Sequence, residues 1–356
     1  MSYFNFFCYL CTMIRTEVLI VGAGPAGSVC GSLLQKRGVD CLVVDRATFP
    51  RDKICGGGLT PKAWRLLERL LPDLRYDYRP VTHMRLQFEN DAPCVFEAGI
   101  ELRMTNRKDF DHTLVQYYLS HGGKMMKAGF QSFEQQSDGT IVATFRSGEQ
   151  VCCRYLVAAD GANSLVRRQM FGLSELNALF MEQYVEQQAD DEIFVHFSKR
   201  YAPGCFYKFP GAGRDIYGFR GPETNRETFA QVLKEFGIAE TRFVGAYIPL
   251  ETVSSPIENI MLIGDAGGFA NKMTGEGLYD CFKTAYNAVV AIVDKKPFAE
   301  TNREVFKKMQ REDKLFHKFF SAKGFRLFRR ILHYPRLVRW VFDAKMKRES
   351  FFPASS

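Results

Sequence analysis

The strand-like run Thr16-Glu17-Val18-Leu19-Ile20-Val21 passes directly into Gly22-Ala23-Gly24-Pro25-Ala26-Gly27. A short β-branched, aliphatic run of this kind fits a strand buried on both faces. The G-x-G-x-x-G that follows has a geometric job. Gly22 permits a tight turn, Gly24 lets the backbone approach a pyrophosphate, and Gly27 lets helix and strand pack closely. Pro25 and Ala26 open a helix whose free N–H groups and positive dipole end can face phosphates. Residues 41–45 (CLVVD) read as a second buried strand. It ends in Asp45, where a carboxylate can bind a ribose hydroxyl pair, and Arg46 follows as a further candidate. The spacing predicts a strand–helix–strand unit, a parallel sheet with helices on both faces, and a dinucleotide at its edge.

Two later segments repeat the pattern of a buried strand ending in a polar turn. Residues 155–167 read YLVAADGANSLVR, so a strand ends at Asp160-Gly161 and is followed by Asn163, Ser164 and Arg167. Residues 260–277 read IMLIGDAGGFANKMTGEG. Here Asp265 can take a ribitol hydroxyl, while Gly267 and the Gly275-Glu276-Gly277 turn can present N–H groups to a phosphate and a flavin ring. The first motif alone does not separate NAD from FAD. All three together, in this order, point to FAD.

On these residues the chain resembles flavoproteins of the class that includes aromatic hydroxylases and geranylgeranyl reductases, over roughly residues 14–300. It is most similar to the geranylgeranyl reductase group. PRDKICGGG at 50–58 matches that group's Pro-x-x-Lys-x-Cys-Gly-Gly signature. NKMTGEG at 271–277 matches its Asn-Pro-Leu-Thr-Gly-Glu-Gly turn, with Lys272 in place of the proline. Arg107 in NRKDFDHTL matches an Arg-x-x-Phe-Asp helix start where the arginine lies near FAD. CFYKFP at 205–210 occupies a Tyr-x-Trp-x-Phe-Pro substrate motif, with Cys205 for the tyrosine and Tyr207 for the tryptophan; Phe209 and Pro210 match.

The resemblance implies an α/β fold with a Rossmann-like FAD-binding domain of the glutathione-reductase type, hydroxylase-like, and an inserted antiparallel β-rich substrate domain. The FAD-binding domain is expected from residues 14–81, 107–175 and 255–300, the substrate domain from 82–106 and 176–254, and a basic helical region from 301–356. It implies an FAD-dependent oxidoreductase that reduces carbon–carbon double bonds of a prenyl lipid by hydride transfer. The alternatives are an FAD-dependent monooxygenase of an aromatic or lipid substrate, and a flavin-binding protein without turnover. Cys55 is the candidate for shaping the pocket or relaying a proton, or else a small packed thiol, and Gly56 and Gly57 would let the loop back closely onto the ring. Lys53 could sit near the reduced flavin or be solvated. Cys205, Tyr207 and Phe209 alternate onto one strand face, which lines either a long apolar pocket or an ordinary core. No separate nicotinamide motif is visible, so NAD(P)H or ferredoxin can be the electron donor.

The chain has 356 residues and a net charge of +8. Residues 303–348 hold fifteen Lys/Arg against four Asp/Glu, which leaves the rest of the chain slightly acidic. The basic character therefore belongs to the tail, and a nucleic-acid partner is not expected. In that tail Phe319, Phe320, Leu327, Ile331 and Leu332 are interleaved with Lys and Arg, and Tyr334 and Trp340 suit a water–lipid boundary. The tail either touches an anionic membrane surface or packs on the FAD-binding domain. No apolar run reaches the roughly 20 residues of a spanning helix. Ten cysteines, too sparse for a disulfide scaffold, and the absence of a visible secretory signal lead us to expect a cytoplasmic protein with reduced thiols, held at a membrane surface where the tail touches lipid. The six histidines lack ligand spacing, so no metal is assigned. The aromatic stretch 1–12 reads as an upstream start or an extension.

Overall fold

The computed structural model describes residues 13–172 and 177–348, so the N-terminal stretch 1–12 lies outside it. β1 (Ile14–Val21), α1 (Pro25–Lys36) and β2 (Cys41–Asp45) form the expected unit, with β1 and β2 parallel. Val18, Ile20, Cys41 and Val43 enter one core, and Leu19, Val21, Leu42 and Val44 enter the core on the opposite face. Covering both faces is what makes these strands unbroken apolar runs.

The chain next builds part of a second sheet: β3 (Gly58–Leu59), α2 (Pro61–Leu70), and the antiparallel pair β4 (Arg79–Phe88) and β5 (Cys94–Met104). β4 thus starts inside the segment assigned to the FAD-binding domain by sequence. α3 (Arg107–Ser120) returns to pack with α1, and β6 (Lys124–Lys127) joins β2 in parallel. β7 (Phe130–Gln135), β8 (Ile141–Phe145) and β9 (Gln150–Ala158) form a meander. β9 is one long strand, antiparallel to β8 and parallel to β1.

After α4 (Leu165–Phe171) the second sheet is completed by β10 (Asn177–Glu186), β11 (Glu192–Phe197), β12 (Cys205–Pro210), β13 (Arg214–Arg220) and, beyond α5 (Arg226–Glu235), β14 (Phe243–Pro249). Its order among the described residues is β14-β10-β13-β12-β11-β4-β5-β3. Its pairs are antiparallel except β4 with β11, the seam where the early and late segments meet. β15 (Ile260–Leu262) returns to the first sheet beside β9. Then follow α6 (Leu278–Asp294), α7 (Phe298–Thr301), α8 (Arg303–Phe319), α9 (Ala322–Leu332) and α10 (Pro335–Arg348).

The second sheet has two distinct faces. Phe206, Tyr217 and Phe219 pack under Phe229, Val232 and Leu233 of α5. Tyr207 and Phe209 alternate onto the other face, Tyr207 over Gly218 and Phe209 against Gly56. The tail corrects the sequence reading. α8 packs on the first unit, with Val305 and Met309 against Phe269. The apolar residues of α9 and α10 pack on the second sheet instead of the FAD-binding side, with Phe88 to Phe325 at 5.3 Å and Phe96 to Phe342 at 5.8 Å. Phe319, Phe320, Ile331 and Leu332 join this cluster, whereas Leu327 stays exposed. No described helix is long and apolar enough to cross a membrane.

Candidate active site

The three glycine-rich turns converge on the carboxyl edge of the first sheet. Gly22 has φ +105°, and a Cβ there would overlap the Ala159 carbonyl, so the turn requires glycine. Gly27 backs onto the Gly22 carbonyl, and Gly264 lies against Ala26. Asp45 accepts from the Ala23 amide at 2.7 Å and from the Ala47 amide at 2.8 Å, so this acid also shapes the first turn. Arg46 beside it is exposed. Asp160 accepts from the Leu165 amide at 2.8 Å through Oδ2, while its buried Oδ1 has no partner among the described residues. Gly161 follows in the left-handed region. Asp265 and Gly267 sit on the short turn after β15, and a Cβ on Gly277 would stand 3.2 Å from the Asp265 carboxylate.

Gly24 and Gly277 cap α1 and α6, and neither makes a side-chain cap bond. Two helix N-termini with uncapped amides therefore open on one sheet edge, an arrangement that favours anionic phosphates. This edge, with its two terminal carboxylates and its orphaned Asp160 oxygen, fits a dinucleotide that carries both phosphates and polyol hydroxyls.

The segment 51–58 bridges this edge to the second sheet. Arg107, buried, forks onto Asp111 at 2.8 and 3.1 Å, and Arg51 joins the same carboxylate at 3.3 Å. Arg51 also borders Gly24. Asp111 is wholly buried, and two guanidinium groups satisfy its charge. The Gly57 amide donates to Cys55 Sγ at 3.5 Å, and Thr105 Oγ1 donates to the Gly57 carbonyl at 2.9 Å. Cys55 and Arg107 line a narrow cleft whose far side is Arg214 and Ile216 of β13. Gly56 lies flat against the Phe209 ring, with no room for a Cβ between them.

The turn 271–277 is held from several sides. Asn271 Oδ1 accepts from the Met273 and Thr274 amides, both at 2.9 Å. Gly275 stands against Phe180 and Ile248 of the second sheet. The Glu276 carboxylate bonds Thr60 and, at 2.9 Å, Lys62, so its side chain ties the turn to α2. Lys272, which departs from the group's proline, pairs with Asp313 of α8, and its carbonyl accepts from Arg220 at 2.8 Å. An ion pair and a hydrogen bond here anchor a position where the related turn carries a ring.

Cys205, Tyr207 and Phe209 share one strand face, as the alternation predicts. Tyr207 and Phe209 rings lie 4.7 Å apart. Burial pushes the Cys205 thiol up to about 12, so it is neutral. The Tyr207 hydroxyl donates to Glu182 Oε1 at 2.8 Å. Sequence reasoning missed Glu182, Arg51 and Asp111. Asp111 had a signal, standing one helical turn after Arg107. Glu182 had only a faint one, an acid on the same strand face as Tyr184.

Residues 15–186 match the family described as FAD binding domain. The chain is an FAD-dependent oxidoreductase, similar in sequence to reductases named for a digeranylgeranyl glycerophospholipid and for menaquinone. A menaquinone reductase of Mycolicibacterium smegmatis is 29% identical, over 74% of this chain and 73% of its own. Digeranylgeranylglycerophospholipid reductase 2 of Methanosphaera stadtmanae is 26% identical, over 78% of each chain. A geranylgeranyl bacteriochlorophyll reductase-like protein from Thermoplasma acidophilum shares the fold, with a TM-score of 0.68 at 21% identity, over 96% of this chain and 92% of that one.

Proposed function

We propose that the protein reduces carbon–carbon double bonds in the prenyl chain of a lipid. The observation that carries this reading is the Gly56–Phe209 contact, which sets an aromatic strand face directly beside the loop that closes the FAD edge. The lipids named for the two relatives, a digeranylgeranyl glycerophospholipid and menaquinone, both carry polyprenyl chains. FAD, when bound, supplies the hydride. In this reading Gly22, Gly24, Pro25, Ala26 and Gly27 cradle its pyrophosphate with the α1 amides. Asp45 and Arg46 serve the ribose end, and Asp160, Gly161, Asp265 and Gly267 serve the ribitol and phosphate. Gly275, Glu276 and Gly277 form the turn over the flavin, while Cys55, Gly56, Gly57 and Arg107 close its other side. Cys205, Tyr207 and Phe209 line the prenyl pocket, and Cys55 shapes its floor.

The tail supports a lipid source at a membrane surface. Tyr334 and Trp340 are more than half exposed, as is Leu327. Lys323, Arg326, Arg330, Arg336 and Arg339 surround them, all exposed, and no acidic residue occurs from 314 to 342. Such a face suits anionic headgroups. Because α9 and α10 cover the same sheet face as Phe209, a prenyl chain drawn from that surface has a short path to the pocket.

The test is an anaerobic one. Purified holoenzyme is photoreduced and mixed with prenyl lipids of differing length. Reoxidation of the flavin by lipid alone, with a saturated product by mass spectrometry, is the expected outcome. Flavin that stays reduced until air is admitted, with oxygen then found in the product, would replace this reading with a monooxygenase.

A further inference from the structure

Glu182 is a carboxyl buried to 2% exposure on β10, with no cation in ion-pair contact among the described residues. Its two oxygens are bonded to phenols, Oε1 to Tyr207 at 2.8 Å and Oε2 to Tyr184 at 3.1 Å. The register explains how Tyr207 reaches it. Tyr207 of β12 pairs with Gly218 of β13, and Gly218 pairs with Glu182 of β10. Gly218 has no side chain, so the Tyr207 ring lies across it and delivers its hydroxyl two strands away. The ring also lies beside that of Phe209, tilted to it, and Phe209 meets Gly56, so the phenol links the carboxyl to the proposed flavin loop.

The charged and titratable groups around Glu182 can be enumerated. Of those acting on Glu182, Tyr184 is on its own strand, Tyr207 on β12, Arg214 on β13 and Lys53 on the bridging loop, while Cys205 and Cys55 act on Tyr207. Val244 faces it from β14 and carries no charge. Arg214 is stacked on the Tyr184 ring at 3.8 Å, and its charge and that of Lys53 act only from a distance. Desolvation therefore dominates and raises the Glu182 carboxyl above its ordinary range, towards the neutral acid. Burial and the same neighbours also hold the Tyr207 phenol well above its usual value, so the phenol alone is a poor acid. Paired with a neutral carboxyl it becomes a competent one, because it can be reprotonated as it gives its proton up.

We propose that Glu182 is the proton store of this site, acting through the Tyr207 hydroxyl on the substrate carbon next to the one that receives hydride. This rests on the reductase reading above. Reduction adds a hydride and a proton across the double bond. The hydride brings both electrons from the reduced flavin. With Glu182 neutral, its O–H donates to the Tyr207 oxygen and the Tyr207 O–H turns to the substrate; that O–H breaks as the second C–H forms, the Glu182 proton follows to the phenolate oxygen, and solvent later reprotonates Glu182. Glu182 acts through Tyr207 and so is a positioning residue.

The experiment uses holoenzyme of wild type, Glu182→Gln and Tyr207→Phe. Infrared H2O-minus-D2O difference spectra, recorded separately at acid and at neutral pH, are expected to show a protonated-carboxyl C=O band at both in wild type. That band should be missing in Glu182→Gln. Anaerobic single-turnover reoxidation by prenyl lipid is expected to slow about 100-fold or more in both variants. FAD content and photoreduction should be unchanged, and the alkaline fall of the wild-type rate should be abolished in Glu182→Gln. A wild type without the neutral-pH band, or a Glu182→Gln enzyme with wild-type rate and pH profile, overturns the proposal while leaving the reductase reading intact. Should Glu182→Gln not fold, Tyr207→Phe at wild-type rate overturns it equally. Wild-type flavin that no prenyl lipid reoxidises removes the reductase reading, and this proposal with it.

Discussion

At the scale of single residues, the site depends on side chains that are missing as much as on those present. A Cβ at Gly218 would overlap the buried Tyr207 ring. Gly218→Ala is expected to cost about 1–3 kcal/mol of stability by overpacking. It should also cut lipid-dependent flavin reoxidation towards the Tyr207→Phe level. Thermal melts and anaerobic stopped-flow check both, and a melt and rate equal to wild type would refute the expectation. The positions proposed to bear chemistry were unequally legible. Tyr207 and Phe209 share a face because strand side chains alternate, which a linear sequence displays directly. Glu182 and Gly218 matter only through a register across three strands, and no spacing within one strand encodes that.

At the scale of elements, α8 is fastened to α6 by a buried ion pair with an unusual balance. Lys308 meets both oxygens of Asp280 at 2.8 Å. Burial nevertheless pushes Asp280 up to about 6, since desolvation outweighs the attraction of Lys308. The folded state then holds the Asp280 proton more tightly than the unfolded chain does. Its contribution to stability is greatest below about pH 4 and is lost as pH rises through about 6. Asp280→Asn should therefore melt near wild type in acid and gain on it as pH rises, by on the order of 3 kcal/mol at the plateau. A melting difference that stays constant from pH 4 to 7 would contradict this. Elements were read well where one physical pattern rules them. β1, β2 and α1 are fixed by burial on both faces and a glycine turn. The docking of α9 and α10 was misplaced, because an amphipathic helix shows that it has an apolar face but not which surface covers that face.

At the scale of the whole molecule, the chain crosses repeatedly between the two sheets, and its excess charge gathers at one end. Vesicle sedimentation should find tighter binding to anionic than to neutral phospholipid. Replacing Arg330 and Arg336 with alanine is expected to weaken that binding by about 2 kcal/mol, roughly 30-fold. Equal binding to both vesicle types would remove the membrane-surface role. The overall architecture was legible because buried parallel strands recur early, in the middle and late in the chain, which only an interrupted domain accommodates. The parallel seam between β4 and β11 was not legible, since it joins segments that neither turn chemistry nor periodicity connects. The contact of Gly56 with Phe209 leaves its own mark on how such a chain can diverge. The two positions occupy a single volume, so a side chain gained at 56 must be answered by one lost at 209. Any descendant that widens its pocket by shrinking Phe209 thereby frees position 56 to change. The loop at 51–58 and strand β12 are bound to drift together.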